Sequence, residues 1–168
     1  MKNIASKSLL SIVITSALMV SPALANEQIV TLESSLQSLY PQESFEVSVN
    51  YSVTQQASVS GLGIQIFFDS TELSLEPLNK VFGEGKIAQA IQQDTNNLDG
   101  DLSTNTYVNI SWMSFSGQWP MQMPESLELA RLSFTSEEDF TGALIHVGKS
   151  SNAAGYEFIG QSLYISAN

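Results

Sequence analysis

Residues 94–101, "DTNNLDGD", set five oxygen-bearing side chains close together: Asp94, Asn96, Asn97, Asp99 and Asp101. Calcium takes about six to eight oxygens from carboxylates, amides and carbonyls, so the composition suits a calcium loop. The spacing is not that of an EF-hand. Counted from Asp94, the fifth place is Leu98; counted from Asn97, Gly100 falls fourth rather than sixth, and no closing Glu follows in either register. The same residue types also make local turns, in which a short carboxylate or amide accepts a backbone N–H two residues on. Three readings stay open here: a calcium site on these five residues, a solvated turn, and a contact edge for a partner.

A second candidate is "SWMSFSGQWPMQMP", residues 111–124. Trp119 stands in a loop between Gly117 and Pro120. A planar aromatic there suits stacking on a sugar ring, and suits equally well capping the open end of a fold. Met113, Phe115 and Met121 add soft apolar surface of the kind that makes adaptable contacts. Trp119, Met113, Phe115 and Met121 are therefore the candidate ligand-binding residues. Trp112 shares parity with Val108 and Ile110 and reads as core. Phe67 and Tyr107 point to the opposite side of their strands, either as a partner surface or buried beneath a neighbouring loop.

Catalytic and cofactor chemistry finds little support. His146 is the one histidine and there is no cysteine, which leaves zinc without a ligand set. No Gly-x-Ser-x-Gly elbow occurs. "GLGIQ" at residues 61–65 opens a strand rather than a helix, so it is not a phosphate loop. Glu137, Glu138 and Asp139 read as a charged turn rather than as a catalytic carboxylate pair. No catalytic residue is expected, and no cofactor other than calcium.

The chain has 168 residues, and its first 25 read as a Sec signal peptide. Lys2 and Lys7 precede an apolar run, "LLSIVITSALMV"; Pro22 breaks it, and Ala23-Leu24-Ala25 is a small-x-small cleavage signal. Cleavage is expected between Ala25 and Asn26. The run is too short for a membrane anchor, and residues 26–168 are expected to form one secreted domain, periplasmic or extracellular, without membrane insertion. Removing Lys2 and Lys7 leaves four basic residues against seventeen acidic ones, a net charge of −13. Such a surface repels nucleic acid and anionic lipid. Without cysteine no disulfide can brace the domain, so apolar packing must hold it.

The elements that position these candidates follow a period of two. Phe45, Val47, Val49, Tyr51 and Val53 alternate with polar residues; Leu62, Ile64, Ile66 and Phe68 do the same around Gly63, Gln65 and Phe67, and Val108, Ile110 and Trp112 around Asn109 and Ser111. Leu127 and Leu129, then Leu132 and Phe134, flank a slip at Ala130-Arg131 that suits a bulge. Leu144, Ile145 and Val147, then Leu163 and Ile165, complete the set. Turn residues punctuate the strands at Pro41, Asp69, Gly83, Gly85, Gly100, Gly117, Gly142 and Gly155. Two short stretches, "SSLQSLY" and "KIAQAIQQD", have helical spacing. The whole reads as an all-β, antiparallel β-sandwich.

Residues 61–75, "GLGIQIFFDSTELSL", resemble the second long strand of a cohesin domain: an alternating run, an aromatic-Asp pair at Phe68-Asp69, a short turn and Leu73. Upstream "YPQESFEVSVNYSV" is similar to that family's proline-led turn into a strand, and "LELARLSFTS" and "GQSLYIS" to its last two core strands. Ser70 and Gln42 depart from the proline and glycine usual there. The resemblance implies a nine-stranded jelly roll related to carbohydrate-binding modules. It also implies a non-catalytic module that binds a partner protein, such as a dockerin, through one flat sheet face, or an extracellular polysaccharide. Rival classes are a small secreted polysaccharide-active enzyme and a structural subunit of a surface appendage or matrix.

Overall fold

A computed structural model describes residues 26–121 and 124–168. The signal-peptide and cleavage readings fall on residues outside this range. Twelve strand segments run in chain order: β1 Glu27–Ser34, β2 Ser38–Leu39, β3 Ser44–Val53, β4 Gly61–Phe68, β5 Leu73–Leu75, β6 Lys86–Ala88, β7 Gln92–Gln93, β8 Thr106–Met113, β9 Leu127–Ser136, β10 Gly142–Ser151, β11 Glu157–Gly160 and β12 Ser162–Ala167. Four of them, β2, β5, β6 and β7, have only two or three residues; the other eight are longer. Among the described residues the only helical turn is the short 3-10 segment Thr54–Gln56, and no helix is long and apolar enough to cross a membrane.

One sheet has the order β11-β1-β3-β9-β5; the other runs β2-β12-β10-β4-β8-β6, with β7 also paired to β8. Pairing is antiparallel except at two places, β1 with β11 and β12 with β2. The chain crosses from one sheet to the other between β11 and β12, at Gly160-Gln161. No side chain larger than hydrogen fits at Gly160, because a Cβ there would lie 2.1 Å from the Val147 carbonyl oxygen.

The alternation in sequence becomes the two-sidedness of the sheets. Val47, Val49, Tyr51, Ile64, Ile66, Val108, Ile110, Trp112, Leu132, Phe134, Ile145 and Ile165 face one shared core and are buried. In β9 the alternation slips where Leu129 and Ala130 are both buried, with a bulge opposite Val49 and Asn50. The expected slip at Ala130-Arg131 is thus one residue off.

Both helical expectations are corrected. Within "SSLQSLY", Leu39 is fully buried and β2 adds a short parallel pair to β12. Within "KIAQAIQQD", Ile87 and Ile91 are exposed, so their spacing marks no buried face. Those residues lie along the edge of β8, with Ile87 opposite Ser111 and Gln92 opposite Tyr107. The open backbone of an edge strand outcompetes two turns of isolated helix, because its N–H and C=O groups find partners there.

Candidate functional site

Three places answer to the candidate residues: a loop at one end of the sandwich, a cavity at the other, and the outward face of the seven-stranded sheet.

The loop between β7 and β8 holds Asp94, Asn96, Asn97, Asp99 and Asp101. Its carboxylates turn inward on their own backbone. Asp94 accepts the Asn96 N–H at 3.3 Å and the Leu98 N–H at 2.8 Å. Asp99 accepts the Asp101 N–H at 3.0 Å and the Thr104 hydroxyl at 2.7 Å. Asp101 accepts the Ser103 N–H and hydroxyl, both at 2.8 Å. These two bonds, the backbone one first, hold the Asp101 carboxyl below its ordinary value. Asn97 takes a left-handed backbone, φ 51°, and its Oδ1 is buried without a partner. Among the described residues no three His, Asp or Glu side chains converge on one point. All three carboxylates are thus engaged within their own loop, an arrangement that suits a turn better than an open cage of about six to eight oxygens. The expected outcome is an unchanged melting temperature when millimolar calcium replaces EDTA; a rise of several degrees, abolished in Asp99→Ala, would restore the ion reading.

At the opposite end, Met113, Trp119 and Met121 line one cavity of about 460 Å³, together with Phe82 and Leu129. Phe115 lies outside it, fully exposed on the turn that Gly117 closes with its N–H on the Ser114 carbonyl. Trp119 is only 4% exposed. Its ring packs on Trp112 at 6.0 Å between centroids and on Tyr51 at 5.1 Å. Its backbone exchanges two hydrogen bonds with Val59, at 2.7 and 2.9 Å. Trp119 thus caps the core and gives the cavity a rigid wall, with only a small part of its ring open to the cavity.

The outward residues of β4, β8, β10 and β12 form the third place. Register puts Gln65 beside Asn109, Phe67 beside both Tyr107 and His146, Leu144 beside Tyr164, and His146 beside Ser162. Phe67 is 1% exposed although it points away from the core. Its ring lies against Tyr107 at 5.4 Å and His146 at 6.2 Å. Gly148 leaves room for it, since a Cβ there would come within 2.8 Å of the ring. Phe67 is covered by its neighbours on the sheet and not by a loop. His146 Nδ1 is 2.8 Å from the Ser162 hydroxyl, the Tyr107 hydroxyl donates to Gln92 at 2.7 Å, and the Ser150 hydroxyl donates to Asn109 at 3.1 Å. Not one Asp, Glu, Lys or Arg occupies an outward position on β4, β8, β12 or on β10 before its bulge at Lys149–Ser151.

The other sheet is the opposite in character. Its outward residues are mainly Glu, Ser and Thr, with Asn50 and the neighbouring pair Ile29 and Ile159, and a chain of ion pairs crosses it: Lys80 with Glu46, Arg131 with Glu46 at 4.0 Å, and Arg131 with Glu128 at 2.9 Å.

The arrangement of the two sheets matches solved domains. The sixth cohesin of an Acetivibrio cellulolyticus scaffoldin, solved in complex with a dockerin, superposes with a TM-score of 0.57 over 84% of this chain and 99% of that one, at 10% identity. A Clostridium thermocellum cohesin, also solved with a dockerin, gives 0.54 over 86% and 99%, at 11% identity. The cohesin module of a Clostridium perfringens family 33 glycoside hydrolase gives 0.52 over 86% and 97%, at 7% identity. The chain has the cohesin fold. No protein-family model matches the sequence, and no curated protein matches it either. The cohesin likeness thus lies in strand order and register far more than in shared residues.

Neither Gln65, Asn109 nor His146 stands out in the sequence as a site residue. The signal for them is indirect: they occupy the outward parity of strands whose inward parity is mostly apolar, and none carries a fixed charge.

Proposed function

We propose that this chain is a secreted, non-catalytic binding module whose partner is a protein, held on the outward face of the seven-stranded sheet. One observation carries this reading. In a chain of net charge −11, the outward positions of β4, β8, β12 and of β10 before its bulge carry Tyr, His, Asn, Gln and Ser with Phe67, Leu144, Met113 and glycines, and no fixed charge. The centres of protein interfaces are depleted in charge and enriched in aromatics, because burying an unpaired charge costs more than burying a hydrogen-bonded amide or phenol. The cohesin fold supports the reading, since the Acetivibrio and C. thermocellum cohesins above were captured with dockerins. A dockerin-bearing protein is accordingly the first partner to try. Secretion rests on the basic start, apolar run and Ala23-Leu24-Ala25; mass spectrometry of the exported protein is expected to show Asn26 as its first residue, and a retained Met1 would remove that part of the reading.

Asn109→Arg puts a charge in the middle of the face; Ser133→Arg puts the same charge on the outward side of the other sheet, opposite Glu46. In titrations of immobilised domain with dockerin modules, Asn109→Arg is expected to weaken binding about tenfold or more, and Ser133→Arg to leave it unchanged. Equal binding by both variants would move the contact off this face. A neutral polysaccharide that binds wild type and not Asn109→Arg would replace the protein partner with a glycan.

A further inference from the structure

The end cavity has a chemistry of its own, separate from the sheet face. Ser114, Ser116 and Gln118 contribute neutral polar groups to its lining, and its apolar walls are of two kinds. Trp119 is fixed by Val59, Trp112 and Tyr51, whereas Met113 and Met121 are exposed and flexible. About 460 Å³ is within the range of small-molecule sites.

The polar groups at its mouth are asymmetric in charge. Two carboxylates, Glu84 and Glu128, line the cavity, and among the described residues no Lys, Arg or His does. Glu128 is neutralised, because Arg131 donates to both of its oxygens, at 2.9 and 3.0 Å. Glu84 has no ion-pair partner among the described residues.

The backbone holds Glu84 in place. It sits between Gly83 and Gly85, both left-handed at φ 84° and 67°. At Gly85 a Cβ would lie 2.2 Å from the Met113 carbonyl oxygen, so the turn presses flush on β8. The Trp112 indole N–H donates to the Phe82 carbonyl at 2.7 Å, and the Met113 N–H to the Gly85 carbonyl at 3.0 Å. The backbone that carries this exposed carboxylate is thereby fixed beside a tryptophan-and-methionine pocket.

We propose that this cavity binds a small organic cation with an apolar body, an alkyl- or arylammonium. The apolar body would lie along Trp119, Met113 and Met121, with the ammonium at the Glu84 carboxylate. An anion of the same shape meets an uncompensated negative charge, and a neutral analogue forgoes the attraction.

The protein's two tryptophans are Trp119, in the cavity wall, and Trp112, stacked behind it, so tryptophan fluorescence reports on the site. Hexylammonium, hexanol and hexanoate share one apolar body and differ in charge. In titrations at low ionic strength, hexylammonium is expected to bind about fivefold tighter than hexanol, with hexanoate weakest. Glu84→Gln should bring the ammonium to the level of the alcohol while urea unfolding stays unchanged. Asn109→Arg, away on the sheet face, should leave all three affinities as in wild type. Equal affinity for ammonium and alcohol in wild type, silence from all three ligands, or a preference that survives Glu84→Gln would each overturn the proposal.

Discussion

Trp119→Ala is expected to cost about 3–5 kcal/mol of folding stability, a loss typical of truncating a large buried aromatic. The side chain is 4% exposed and closes the end of the core over Trp112 and Tyr51. Its removal opens a void that the rigid strands β3 and β8 cannot collapse, and it uncovers two large buried rings. The measurement is urea unfolding followed by far-ultraviolet circular dichroism, which does not depend on the lost indole. The midpoint should fall sharply with little change in slope. Trp119→Phe keeps most of the volume and should lose markedly less. A residue that served only as a stacking platform for sugar would behave otherwise, giving an alanine variant of wild-type stability with reduced binding. Wild-type stability in Trp119→Ala would sink the capping role.

Period-two alternation made most of the sheets legible. Phe45 to Val53 and Val108 to Trp112 are apolar on one parity and polar on the other, Leu62 to Phe68 is apolar on one parity with Gly63, Gln65 and Phe67 on the other, and each becomes a strand with the apolar parity inward. β1 is not legible in this way, because Gln28 occupies the core parity ahead of Val30 and Leu32. The ribbons β2, β6 and β7 are illegible for a different reason. They are strands only because β12 and β8 have open edges, and an open edge is a tertiary fact. The candidate residues divide similarly. Met113, Trp119 and Met121 come together as a cavity because the sheets end there, while Phe115, in the same run of sequence, points into solvent. The acidic loop looks like a ligand set in sequence, but its oxygens have nearer donors in its own backbone.

The two sheet faces differ through their charges rather than their geometry. Glu46, Arg131, Glu128 and Lys80 cross-link the five-stranded face in a network of side chains that a partner would have to desolvate. On the seven-stranded face the polar groups are amides, hydroxyls and one imidazole, which can exchange water for a partner's groups at lower cost. Phe67, buried between Tyr107 and His146 with its ring tilted against both, stiffens the middle of that face, so little side-chain freedom remains to be lost there on binding.

Gln28→Leu is expected to destabilise the domain by roughly 3–6 kcal/mol, even though it fills a fully buried position with a side chain of similar size and greater apolarity. The amide makes three bonds that no hydrocarbon can make. It donates to the Tyr51 hydroxyl at 3.0 Å and to the Gly61 carbonyl at 3.1 Å, and it accepts the Ala153 N–H at 2.7 Å. These bonds tie β1 to β3, to the start of β4 and to the turn before β11. Leucine would leave all three partners buried and unpaired, each at about 1–3 kcal/mol. Adding Tyr51→Phe removes one stranded group, so the double variant should lose less than the sum of the single losses. The same cluster has an alkaline signature. Burial pushes the Tyr51 hydroxyl from 10.0 up to about 12, against a smaller opposing effect of the Gln28 bond. The raised value means that Tyr51 contributes stability in full below pH 10, and that this contribution drains away as pH rises towards 12, when the unfolded chain ionises first. Wild type should therefore lose about 2–3 kcal/mol across that window from this group, and Tyr51→Phe should lack that part of the slope. If Gln28→Leu matched wild type in urea at pH 7, the buried amide would be a passenger and β1 would be held by its pairing with β3 alone.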